Sequence, residues 1–175
     1  NISDDLGLKN RTTKHVLASK KFFDFKDGNK NLYHGLMIDL GKVVTGNYTG
    51  DMSAIGNKIR RTLEAFSTFN YGVGIDKVST DKDIIKYIDD ERIREYLKNS
   101  MYRITLHSNS HLENQTYGIE EEGLIYYENQ DELDRSIKDV LLLIYELNQS
   151  HVVKILETDV VSKIMEHKNN IISLK

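Results

Sequence analysis

The sharpest hydrophobic pattern lies between residues 52 and 69, where Ile55, Ile59, Leu63 and Phe66 recur at i, i+4, i+8 and i+11. At 100° per residue these positions span about 80° of a helix surface, which predicts a helix from about Met52 to Phe69 with one apolar face. Asp51 or Ser53 is placed to cap its start, and Asn70-Tyr71-Gly72 with Gly74 follows its end. A second stripe, Leu133, Ile137, Val140, Leu141, Ile144 and Leu147, predicts a helix opening on an Asp131 cap and running to about Asn148. Shorter helices are expected near 81–88 and 90–99. Both open on acidic residues (Asp81, then Asp89, Asp90 and Glu91), which suit the positive end of a helix dipole. Two more are expected near 150–156 and 159–168.

Other stretches carry mixed signals. In 100–112, Leu97, Met101, Ile104, Ser108 and Leu112 share a helical face, while Tyr102, Ile104 and Leu106 alternate as a strand does. The helical reading is preferred. Residues 15–25, with Val16, Leu17, Phe22, Phe23 and Phe25, read as a strand or a short buried segment. Residues 32–44 are apolar without a clear period, and 46–50 form a loop. Residues 113–130, with Glu120, Glu121 and Glu122, read as a long polar insertion. The class is mainly α: a helical bundle with an irregular or β part at the N-terminus. Residues 1–45 read as a lead-in and 46–175 as the helical domain.

Composition narrows the chemistry. The chain has 175 residues and no Pro, Cys or Trp. The absence of Pro removes proline kinks, cis turns and polyproline linkers from consideration and favours helices. The absence of Cys removes disulfides and thiolate metal sites and fits a reducing compartment. The longest apolar run, Val140 to Tyr145, has six residues, far from the roughly 18 of a membrane span. No signal peptide is evident, so a cytoplasmic protein is expected. The chain opens on Asn1 rather than Met, which reads as a piece of a longer product. The net charge of −3 conceals an uneven distribution: residues 1–75 hold 11 basic against 7 acidic residues, and 76–175 hold 13 against 20. A uniformly basic nucleic-acid binder is excluded, whereas a local basic site in the first half is not.

Gly35 to Val43 (GLMIDLGKV) is a decoy. A phosphate-binding loop has four residues between its glycines and a Ser or Thr after the Lys. Here five residues intervene and Val43 follows Lys42, so ATP hydrolysis by that device is not expected of this chain. Arg60 and Glu64, four apart, are helical neighbours projecting about 100–140° from the apolar stripe. They read either as a solvated ion pair or as an Arg poised on a phosphate by a carboxylate that fixes its rotamer. His107 and His111 stand on adjacent turns of the 100–112 helix. Glu113 does not sit at helical spacing to both, so no metal ligand set is expected. His111 falls near the Leu97/Met101/Ile104 face, so a buried or capping histidine competes with a general acid–base role.

Three segments taken together resemble one family. They are NKIRRTLEAFSTFNY (57–71), YRITLHSNSH (102–111) and DVLLLIYELNQSHVVKI (139–155). In order and spacing they resemble the C-terminal region of the large AAA/ABC-type ATPases related to the PrrC and RloC anticodon nucleases. Residues 14–25 (KHVLASKKFFDF) are similar to the strand that closes the ATPase core in that family, although Ala18-Ser19-Lys20 stands where the family has a phosphate-sensing His. The resemblance implies a HEPN-like helical module, with the lead-in as the tail of an ATPase core. It implies a metal-independent endoribonuclease acting on tRNA, the effector of an antiphage defence or toxin system. The Arg-x3-Glu…His pattern falls on Arg60, Glu64 and His111, and His107 stands where the family has Asn, so either histidine can serve. A homodimer and an upstream or partner ATPase are implied as partners, with ATP and Mg needed only by that ATPase and no cofactor in this chain. The competing expectation is a non-catalytic helical module that packs on an ABC/SMC-like ATPase and regulates it.

Overall fold

The computed structural model describes residues 15–18, 21–24, 32–114 and 129–173, the first two segments and 106–114 as backbone. The chain divides into two compact units, 1–31 and 32–175. In the first, strands β1 (His15–Ala18) and β2 (Lys21–Asp24) pair antiparallel, with His15 opposite Asp24 and Ala18 opposite Lys21. Of the two readings of 15–25, the strand is the one found, as two short paired strands.

The second unit is mainly α. Helix α1 (Leu32–Val44) leads a 3₁₀ turn (Met52–Ala54), α2 (Ile55–Tyr71), the single turn α3 (Lys82–Ile85) and the long α4 (Glu91–Asn114). Helices α5 (Gln130–Leu147), α6 (Gln149–Ile155) and α7 (Thr158–Ser173) complete the described bundle. The compact unit thus begins at Leu32, not at 46. Tyr33, Leu36, Met37, Leu40 and Gly41 are buried at i, i+3, i+4, i+7 and i+8, a helical period that the apolar neighbours and two glycines of this stretch conceal. Gly41 is where α1 meets α6 and α7: a Cβ there would lie 3.3 Å from Leu156 and Val160 methyls.

In α2 the expected stripe holds, for Ile55, Ile59, Leu63 and Phe66 are all fully buried. Burying each such side chain contributes roughly 1.5–3 kcal/mol before conformational entropy is charged against it. The Asp51 carboxylate accepts from the Ser53 N–H at the start of the 3₁₀ turn. Gly72, at φ 66°, closes α2 in the left-handed conformation and donates to the Thr68 carbonyl.

Three expectations change. The helix near 81–88 is one turn. Asp81 caps it through the Asp83 N–H, after which Tyr87 and Ile88 donate three residues back in tighter turns. The Arg94 guanidinium then holds the Ile88 carbonyl at 2.6 Å. The segments 90–99 and 100–112 are one helix, α4, with Asp90 accepting from the Arg92 N–H at its start. Helical period wins in 100–112 because Leu97, Met101 and Ile104 are buried on one side while Tyr102 is exposed. The cap of α5 is Asn129, not Asp131. Its side chain reaches the Glu132 N–H, the third helical position, while Asp131 already lies inside the first turn. The polar insertion expected over 113–130 falls mostly outside the described residues.

Helix α5 is the spine. Among the described helices it packs against α1, α2, α4, α6 and α7, and Val140–Ile144 are buried on every side. No helix among the described residues is long and apolar enough to cross a membrane.

Candidate functional site

Arg60 and Glu64 lie on α2, off its buried stripe. Arg60 is half-buried and Glu64 exposed. They form no ion pair with each other, and among the described residues neither side chain has another partner. The basic residue comes first here, the less favoured order for helix support. Two positions before Arg60, Lys58 does find a carboxylate. It pairs with Asp39 of α1, its ammonium 5.3 Å from the centre of the Tyr48 ring. Arg60 has no such partner among the described residues, and neither has its exposed neighbour Arg61.

His107 and His111 belong to the last two turns of α4, a helix that packs against α2. Their side chains lie outside the described residues. The structure packs against each other the two helices that carry the four predicted residues.

Sequence reading missed two clusters. In the first, the Asp139 carboxylate, 1% exposed, accepts from the Ser100 hydroxyl, from the Tyr96 hydroxyl at 3.4 Å, and from His167 Nε2 at 2.7 Å. Burial, reinforced by the neighbouring carboxylate, pushes the Tyr96 phenol up to about 12. The ring of Tyr96 meets His167 edge-on, 6.2 Å between centres. Asp139 lies outside the predicted apolar stripe of α5, so periodicity does not single it out as a core residue. The available signal was the unbroken run beginning at Val140, which marks a helix segment surrounded by protein.

The second cluster gathers the N-terminus of α1, the C-terminal half of α2 and α6. His151 Nε2 lies 3.1 Å from the Tyr33 hydroxyl, and the two rings stack at 5.4 Å. Phe66 lies 6.4 Å and His34 6.2 Å from the His151 ring. Burial pushes His151 below the ordinary histidine range, and the nearby His34 and Lys154 add to this. Burial likewise raises the Tyr33 phenol. Among the described residues no three His, Asp or Glu side chains are grouped to hold a metal ion.

No family model, curated protein or solved structure matches the chain.

Proposed function

We propose that the bundle is a metal-independent RNA endonuclease module of the tRNA anticodon type, the effector of an ATPase-linked defence or toxin system in the cytoplasm. The observation that carries this reading is the partnerless Arg60. The ordinary role of an Arg and a Glu four apart on a helix is an ion pair, and that pair is absent here. A half-buried guanidinium with no carboxylate within reach among the described residues is suited to receive a phosphate.

In this reading His111 or His107 takes the proton from an RNA 2′-hydroxyl as that oxygen attacks its own 3′-phosphate. The P–O5′ bond breaks, a proton passes to the departing oxygen, and the products are a 2′,3′-cyclic phosphate and a 5′-hydroxyl. Arg60 offsets the charge growing on the phosphoryl oxygens, and Glu64, unpaired in the free chain, is assigned to orient Arg60 once the phosphate is bound. A homodimer, as the resemblance implies, would bring two such faces to one cleft. The test is a rate comparison on total tRNA. Cleavage is expected to fall about 10²–10⁴-fold in the variant of whichever histidine serves, His111→Ala or His107→Ala. Cleavage retained at full rate in both variants overturns the assignment.

A second reading, a docking module for an ATPase, has its own observation. Leu32 (66% exposed), Phe69 (84%) and Val153 (53%) are large apolar side chains in water. Each lies within three residues of the Tyr33–His151–Phe66 cluster. This reading expects Phe69→Ser to abolish function in the intact system while Arg60→Ala leaves it unchanged. The nuclease reading expects the opposite ranking.

A further inference from the structure

Helix α6 has a small hold on the bundle. It is seven residues long, lies between α5 and α7, and packs also against α1. Val152 is fully buried and Leu156, just past the end of the helix, nearly so, while Val153 and Lys154 face water. The Asn148 side chain caps the helix by accepting the His151 N–H. Short elements with few buried side chains are the ones that open locally while the rest of a fold stays closed.

The polar side of that hold is a group of rings. His151 stacks on Tyr33 of α1, with its Nε2 3.1 Å from the Tyr33 hydroxyl. The His34 ring, also on α1, stands edge-on at 6.2 Å, and the Phe66 ring of α2 lies at 6.4 Å. Both histidines are half-buried. Among the described residues, His151 is thus faced by Tyr33 and His34 from α1, by the apolar Phe66 from α2, and by Lys154 along α6 itself. No carboxylate among the described residues faces it from α5 or α7, and Glu146 of α5 is taken by Lys168 of α7 at 2.7 Å.

Neutral, this group is cohesive, because the rings stack and one proton is shared between Nε2 and the phenol. Acid changes its character. Histidine takes up its charge in the range between about pH 8 and 5. Protonation of both rings places two cations on different helices, their ring centres 6.2 Å apart, with Lys154 nearby and no described carboxylate to offset them. Stacking of a charged His151 on Tyr33 returns part of the cost. The balance still favours the neutral ring, since burial, then His34 and Lys154, hold His151 below the ordinary histidine range. The hydrogen bond also loses a choice, for a charged ring can only donate to the phenol.

We propose that His34 and His151 form a pH-sensitive latch that holds α6 on α1 near neutral pH and releases it in acid while α5 stays folded. Release exposes Val152 and the side of Phe66 that meets His151. The latch is separate from Arg60 and Glu64 and does not rest on the nuclease reading. Amide hydrogen exchange of the full chain tests it, read as protection relative to the open-chain exchange rate at each pH. The reporters are the Val152 and Leu156 amides, which close the first and last turns of α6, and the reference is the buried Val140–Ile144 run of α5. Between about pH 7.5 and 5, protection in α6 should fall about three- to a hundredfold more than in α5. That is the range spanned by the repulsion of two unit charges at the ring spacing, from water to a partly buried site. His34→Gln and His151→Gln should each remove most of the difference. If His151→Gln does not fold, His34→Gln, at a half-buried position near the start of α1, still decides. The proposal is overturned if α6 and α5 lose protection in step, or if the acid loss in α6 is as large in His34→Gln as in the wild type.

Discussion

At the residue scale, Asp139 and His151 show how burial changes what a side chain does. Asp139→Ala would leave the Ser100, Tyr96 and His167 donors without their acceptor. Breaking a buried pair of this kind costs about 3–5 kcal/mol, and partial exposure of His167 places the expected loss near about 3 kcal/mol. Urea unfolding measures it, and a loss below about 1 kcal/mol would show that the network is not stabilising. His151 makes a pH-dependent contribution. Its folded-state value lies below the ordinary 6.5, so as pH falls the unfolded chain takes up a proton before the folded chain does. This contribution is complete above the unfolded value and is lost as pH falls through that value toward the folded one. Unfolding free energy should therefore fall more steeply between about pH 7.5 and 5 in the wild type than in His151→Gln, and parallel profiles would contradict the assignment. Arg60 and Glu64 were legible because helical spacing alone places them. Asp139 was not, because its donors come from residues 28 to 43 positions away, a distance that no local pattern spans.

At the element scale, strongly periodic helices were legible and their ends less so. The stripes of α2 and α5 are visible because one face of each is apolar over four or more turns. The start of α5 was misplaced by two residues, since Asp131 and Asn129 are both capping types and only backbone geometry separates them. Asn129→Ala should cost about 1 kcal/mol, and Asp131→Ala about 0.5 kcal/mol through the dipole alone. Thermal unfolding of the two variants gives the ranking, and the reverse order would restore Asp131 as the cap. Gly72→Ala, at a left-handed position, should cost about 1–2 kcal/mol. Helix α1 was illegible for a different reason. Its sequence LYHGLMIDLGKVV is apolar beyond its buried face, so the 3.6-residue period is blurred.

At the scale of the whole molecule, α1 decides where the bundle begins. Met37 and Leu40 are fully buried, and truncating such a side chain to Ala costs about 2–5 kcal/mol. A chain starting at residue 46 should therefore lose cooperative unfolding in calorimetry, while one starting at residue 32 retains it. Equal behaviour of the two would return α1 to the lead-in. The bundle also sets what the chemistry has to work with: α2 presents Arg60 and Glu64 with no partner among the described residues, and α4 carries His107 and His111 in the helix packed against it. The most direct measurement of the nuclease proposal is the end chemistry of tRNA incubated with the protein in excess chelator. The expected result is fragments ending in a 2′,3′-cyclic phosphate and a 5′-hydroxyl, formed by the wild type and not by Arg60→Ala. Intact tRNA, fragments ending in a 3′-hydroxyl and a 5′-phosphate, or equal cleavage by Arg60→Ala would contradict it.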